Sequence, residues 1–390
     1  MDISRLPGCD SGEANQAPCS YRIATMRLRI LFFLLIAQTH WAAGQKVPRI
    51  AGDVVPAAVW QEIQPEAVGY SKPKLDALRS WLKVQDTESM LIIVQGRVIF
   101  SYGDVTHTSK IASVRKSILG MLFGKYVFAN KIDLSKNVAE LGLQEKTPFL
   151  PVEAHATLEQ LLEGRSGIYT APEDDLPRRG SVYPGAYFVY QNWDFNAAGT
   201  AFEKLTGKGI YDALSTDLAG PLGMQDFDIA KQHKLPEKGS LHPEYAMYLS
   251  TRDMARLGLL MLDMGNWNGK DVIPADWVRY MTSLTTPFKD VHPYLFQNAG
   301  EPQRWGFGST WWVWDQPAFP GNLYMGFLQG SYSAMGTGGT FITVLPAKDM
   351  VVVHKVDIDQ NEHATVSPSS YIAMLSMIAN SNCGDSCLEQ

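Results

Sequence analysis

The chain has 390 residues, 45% of them hydrophobic and 19% charged, with a formal net charge of −6. That length can bury a large core and suits two lobes better than one. An acidic balance without basic runs excludes the electrostatic footprint of a nucleic-acid binder, and the sequence carries no heptads, low-complexity tracts or internal repeats.

The first 44 residues read as a leader. Arg27 and Arg29 precede the apolar run Ile30-Leu-Phe-Phe-Leu-Leu-Ile-Ala37, and small residues follow at Ala42, Ala43 and Gly44. A basic start, a short apolar stretch and a small-residue exit make a signal peptide over 26–44, with Met26 as the expected start. The run is shorter than the ~20 apolar residues of a membrane span, so no stable span is expected after cleavage. One mature domain over 45–390, secreted or periplasmic, is the expectation. Cys383 and Cys387, four apart, then suit a small disulfide; no His or second Cys pair lies nearby to favour a metal.

Next, Ser71 to Leu82 reads as an amphipathic helix, with Ser71 as N-cap and Leu75, Leu78 and Leu82 on one face. Met90 to Tyr102 reads as a hairpin turning at Gln95-Gly-Arg97, and a second hairpin spans Thr340–Leu345 and Met350–Val356. Between them, Thr157–Leu162 and Arg252–Leu262 are the clearest helices, and Tyr371–Ile378 has helical spacing near the end. Strands at both chain ends with helices between predict an α+β fold. One antiparallel sheet lobe would come from 65–150 and 300–380, and a mainly helical lobe from 150–300, with the substrate cleft between them.

Ile111-Ala-Ser113-Val-Arg-Lys116 opens a helix whose apolar stripe runs through Ile118, Leu119, Leu122, Phe123, Tyr126 and Val127. The S-x-x-K spacing sets Ser113 and Lys116 on one face, one turn apart. A serine hydroxyl needs an adjacent base, and a lysine serves when burial or a nearby cation lowers its pKa. Tyr190-Gln-Asn192 stands just before another amphipathic helix: Tyr190 is a candidate second base, and Asn192 would orient Lys116 or hold a substrate carbonyl. Gly336-Thr337-Gly338-Gly339 leads into the strand at 340–345, where glycines let a ligand approach the backbone. Each feature has a bland alternative: a solvated Ser and Lys, a core tyrosine beside a helix cap, a Gly-rich turn.

In this order the three elements resemble the penicillin-recognising serine hydrolases: serine β-lactamases, DD-peptidases, β-lactamase-like (family VIII) esterases and 6-aminohexanoate-oligomer hydrolases. Ser113-Val-Arg-Lys116 matches the first motif. Tyr190-Gln-Asn192 matches the Y-x-N form of class C β-lactamases and their esterase relatives. Gly336-Thr337-Gly338 stands in the place of K-T-G or H-x-G. Thr157 to Gly167, Gly220-Pro-Leu-Gly-Met224 and Arg252 to Gly258 also look like the family, over roughly residues 65–380.

The resemblance implies an antiparallel sheet flanked by N- and C-terminal helices, and hydrolysis of an ester or amide through an acyl-enzyme on Ser113. Catalytic Ser113, Lys116 and Tyr190 would then act beside Asn192 and the 336–339 edge, with one oxyanion N–H from Ser113 and another from near Gly339. The family often has a Lys or His at the third motif to hold a substrate carboxylate. Here Gly336 takes that place, so penicillins and peptidyl-D-alanine are poorly suited substrates. A non-catalytic ligand-binding relative is the alternative that this departure motivates.

The expected partner is a small-molecule ester, amide or peptide substrate. The eight histidines have no zinc-site spacing and no dinucleotide or phosphate loop is visible, so neither metal nor cofactor is expected. Ser166, in Gly-Arg-Ser-Gly, lacks the preceding strand and the full pattern of a nucleophile elbow. The aromatic run Arg304–Trp314 reads as a packed sheet strand, with a substrate-facing wall as the other possibility.

Overall fold

Apolar runs near both ends of the chain pair with one another. A computed structural model describes residues 55–170, 176–291, 304–315 and 326–387; the leader, and with it the expectation of export, lies outside them. All of these residues belong to the unit Gln45–Gln390. β1 (Ser89–Val94) and β2 (Arg97–Gly103) form the first predicted hairpin, turning on Gln95 and Gly96 at φ 51° and 71°. β3 (Trp305–Phe307), β4 (Trp312–Trp314), β5 (Tyr332–Gly336), β6 (Thr340–Leu345) and β7 (Met350–Lys355) complete a seven-stranded sheet. Its order is β2-β1-β7-β6-β5-β4-β3, antiparallel throughout. The chain ends meet at β1 and β7, where Ile92 faces Val352.

Helices cover both faces of this sheet. α1 (Lys72–Leu82) packs with the last helix, α7 (Pro368–Ser381), and buries Leu75, Leu78 and Leu82 with Tyr371, Leu375 and Ile378. Ser71 does not cap α1 with its side chain. Glu66 does so instead, its carboxylate accepting the Lys72 N–H at 2.8 Å. On the other face lie α2 (Val114–Phe128), α3 (Leu158–Leu162), α4 (Asn192–Thr206), α5 (Thr251–Leu262) and α6 (Ala275–Thr282). α5 presses directly on the sheet, since a Cβ at Gly258 would lie 2.5 Å from Val351. α3 begins with a reciprocal Thr157–Gln160 capping box.

The aromatic run 304–314 is not one strand but two, β3 and β4, joined through Thr310 at φ 65°. Trp305 and Trp314 meet edge to face at 5.0 Å, and Trp311, Trp312 and Trp314 are all buried, so the segment packs rather than lining open space. A disulfide joins Cys383 and Cys387 just beyond α7.

Candidate active site

Ser113 stands at the N-cap of α2 yet makes no side-chain cap. The preceding Ala112 sits at φ 46°, a left-handed conformation that costs an L-residue roughly 1–3 kcal/mol. That kink brings the chain from the short strand Ser109–Lys110 into the helix and leaves the Ser113 hydroxyl partly exposed. The backbone N–H of Ser113 has no backbone acceptor among the described residues, and it lies at a helix N-terminus, where negative charge is favoured.

Lys116, one turn on, is 2% exposed, and its Nζ is 3.1 Å from Ser113 Oγ. The ammonium site is walled by aromatic rings, 4.3 Å from the Tyr190 centroid and 5.3 Å from that of Phe195. Among the described residues Lys116 makes no ion pair. Burial, followed by the Arg115 charge, holds its pKa well below the ordinary lysine value. A lowering of this kind favours the neutral amine, the form that accepts a proton.

Tyr190 comes from the segment leading into α4, and the Ser113 and Trp312 side chains stand beside it. Rings of Trp312, Phe195 and Phe307 surround it at 4.9, 5.6 and 5.8 Å. Burial pushes the Tyr190 phenol up to about 12. Burial thus moves Tyr190 up and Lys116 down, and opposed shifts of this kind separate an acid from a base.

The glycine segment divides. Gly336 closes β5 directly against Ser113: a Cβ there would lie 2.7 Å from Ile111 O and 3.4 Å from Ser113 N. Gly338 and Gly339, at φ 85° and 105°, form the hairpin tip and face Ile358 and Val366. The Gly339 N–H donates to Gly336 O at 3.2 Å and its carbonyl contacts His354 Nδ1 at 2.6 Å. The strand edge beside Ser113 is therefore Gly336 and the exposed Thr337, not Gly339. A basic side chain cannot stand at 336, for want of space, and Ala334, two residues back on the same face, is apolar. Asn192 is exposed at the first residue of α4 and makes no hydrogen bond to Lys116 among the described residues.

Other polar residues close around this centre without any signal in the motifs. Asp194 is fully buried, accepting from Ser166 Oγ at 2.6 Å and Gln191 Nε2 at 3.0 Å, and burial raises it to about 7. Gln191 also donates to Ile168 O at 2.8 Å. Asp194 thus clamps the Tyr190–Asn192 segment to the loop at 166–168, and Ser166 is buried with its hydroxyl committed to that clamp. Arg115 is 2% exposed and donates to Asn196 Oδ1 at 2.8 Å. Only the tertiary fold brings residues 166, 194 and 196 here; their spacing in the chain follows no period. Away from these groups, Glu88, His107 and Asp357 converge within 4.8 Å, but Lys355 Nζ lies 3.5 Å from Glu88 and already supplies a positive charge there.

An antiparallel sheet with a serine–lysine helix on one face and the two terminal helices on the other defines the β-lactamase/transpeptidase class of fold. Solved structures bear this out. A β-lactamase from Mycobacterium bovis is 18% identical at a TM-score of 0.53, covering 79% of this chain and 97% of its own. A penicillin-binding protein homologue from Caulobacter crescentus is 13% identical at a TM-score of 0.57, covering 83% and 99%. A class C β-lactamase solved in complex with cefoxitin is 14% identical at a TM-score of 0.55, covering 80% and 98%. The Beta-lactamase family model matches residues 89–365, from β1 to beyond β7, and the chain belongs to that family. An uncharacterised protein of Alkalihalophilus pseudofirmus is 28% identical over 109 residues, 27% of this chain; the match spans 29% of that protein's length.

Proposed function

We propose that the chain is an exported serine hydrolase that cleaves an ester or amide bond through an acyl-enzyme on Ser113. One observation carries this reading: a buried Lys116 amine, in no ion pair among the described residues, lies 3.1 Å from the Ser113 hydroxyl. Its support as an exported protein is the signal-peptide pattern at 26–44.

In the proposed reaction Lys116 takes the Ser113 proton as Oγ attacks the carbonyl carbon. The oxyanion that forms is met by the Ser113 N–H and by the backbone N–H at the Gly336–Thr337 edge. Tyr190 gives its proton to the departing alcohol or amine as the carbonyl–heteroatom bond breaks, and protonated Lys116 restores it. Water then attacks the acyl-enzyme, losing its proton to the Lys116–Tyr190 pair, and Ser113 regains one as the acid leaves. No step calls on a cofactor. Without a cation at the strand edge, neutral acyl groups suit this cleft better than carboxylate-bearing ones.

The test compares mature wild type with Ser113→Ala, using a fluorophosphonate probe followed by intact mass and p-nitrophenyl butyrate followed by absorbance. Labelling and turnover are expected to vanish together. Turnover that survives in Ser113→Ala overturns the proposal, and wild type that neither labels nor turns over makes the chain a binding protein on a hydrolase fold.

A further inference from the structure

His354 takes no part in the reaction above, yet it is fully buried beside the hairpin whose edge faces Ser113. β6 and β7 pair from Leu345–Met350 up to Phe341–His354, so Gly339 lies beyond the last pair. A side chain meets its carbonyl there: His354 Nδ1 stands 2.6 Å from Gly339 O. Across the ring, Nε2 stands 2.9 Å from Thr87 Oγ1, in the connection from α1 to β1. These two contacts fix the state of the imidazole. A carbonyl oxygen only accepts, so Nδ1 carries the proton and donates to Gly339 O. Burial lowers the His354 pKa to about 4, which keeps the ring neutral, and Nε2 is then the acceptor of the Thr87 hydroxyl.

The backbone that His354 grips has few constraints of its own. Gly338 and Gly339, at φ 85° and 105°, have no Cβ to limit their dihedral angles. A site that stabilises a developing charge must nevertheless hold its donors to within about 0.5 Å. Gly338 is tethered through its carbonyl, which accepts from Val366 N at 2.9 Å. Gly339 is pinned on both sides, its N–H donated to Gly336 O at 3.2 Å and its carbonyl held by His354. Gly336 in turn lies close against Ser113 N.

Resting on the reading of the Gly336–Thr337 edge as part of the oxyanion site, we propose that His354 is a positioning residue: its Nδ1–H, oriented by Thr87, locks the Gly339 carbonyl and so holds this edge in place against Ser113. The line of contacts runs from Thr87 Oγ1 through His354 and Gly339 to Gly336, and none of its side chains touches a reacting atom. Histidine suits the place because a neutral ring accepts on one side and donates on the other. The rings of Phe341 and Tyr371, 6.2 and 5.9 Å away, pack about it.

The test sets His354→Leu beside His354→Asn, with p-nitrophenyl butyrate for kcat and KM and urea unfolding for stability. Asparagine places an amide N–H where Nδ1–H stands, whereas leucine has no donor. His354→Leu is expected to lower kcat at least about tenfold with KM little changed, short of the ~100-fold that loss of the oxyanion donor itself costs. His354→Asn leaves a cavity and is destabilised as well, yet keeps kcat within about threefold of wild type. Equal kcat losses in the two variants, or a His354→Leu enzyme that keeps the wild-type kcat, overturn the positioning role. If His354→Leu does not fold, nitrogen NMR of the histidine rings in wild type decides. A neutral Nδ1–H ring at His354 is expected, and an Nε2–H ring overturns the lock, since Nδ1 then has nothing to donate. Either overturning result, with labelling and turnover still dependent on Ser113, leaves the hydrolase reading standing. Wild type without Ser113-dependent turnover overturns that reading and the role of His354 with it.

Discussion

Adding one methyl group at Gly336 tests whether the end of β5 works as part of the site. A Cβ there meets Ile111 O at 2.7 Å, which is backbone and cannot swing away, and Ala112 Cβ at 3.3 Å. A relaxed carbon–oxygen contact is ~3.3 Å, so the strand edge and the Ser113 turn must part by about 0.6 Å. Overpacking of this kind costs about 1–3 kcal/mol of stability. If the edge N–H and the Ser113 N–H share the oxyanion, the same displacement removes one donor, a loss of about 100-fold or more in kcat. Gly336→Ala is therefore expected to lower kcat by about two orders of magnitude while KM changes little. Stopped assays with p-nitrophenyl butyrate measure the first, and urea unfolding measures the second effect independently. A Gly336→Ala enzyme that is destabilised as expected yet keeps kcat within about threefold would refute the assignment of this edge to the oxyanion.

Tyr190→Phe removes the proposed acid, at a cost of about 10²–10⁴ in rate when the leaving group needs a proton. A p-nitrophenolate leaves without one, so the variant should lose at least about tenfold more activity on an anilide than on the p-nitrophenyl ester; equal losses would count against Tyr190 as the donor. Ser166→Ala deprives buried Asp194 of its 2.6 Å donor and should cost about 1–3 kcal/mol in urea unfolding while fluorophosphonate still labels Ser113. Loss of the label in a folded Ser166→Ala protein would reopen Ser166 as nucleophile. Asp194, raised to about 7 in the fold, binds a proton there that the unfolded chain sheds near pH 4. Its contribution to stability consequently declines as pH climbs from about 4 to about 7. Asp194→Asn lacks that decline, so its urea midpoint should gain on wild type between pH 5 and pH 8; a constant difference would contradict the raised value.

Much of this protein is written locally in its chain. The hairpin at 89–103, the helices around 72–82 and 251–262 and the S-x-x-K helix follow from runs and periods a few residues long, because hydrogen bonding and side-chain spacing within an element are short-range. Motif order likewise pointed to the family, since a reacting centre constrains residue type at each place. What the chain could not announce is who stands next to whom across it. Ser71 looks like a cap, but Glu66, folded back from five residues earlier, holds the Lys72 N–H.

The 336–339 segment is legible as a glycine turn, yet which glycine abuts Ser113 depended on how β5 lies against α2. The charge state of the centre is also a tertiary property. Lys116 and Tyr190 have their pKa values driven apart by burial, among rings of Phe195, Phe307 and Trp312 that come from distant parts of the chain. Sequence alone determined the elements and the residue types of the candidate site, because those are local chemistry. The tertiary structure decided their protonation and partners, because desolvation and charge act through space.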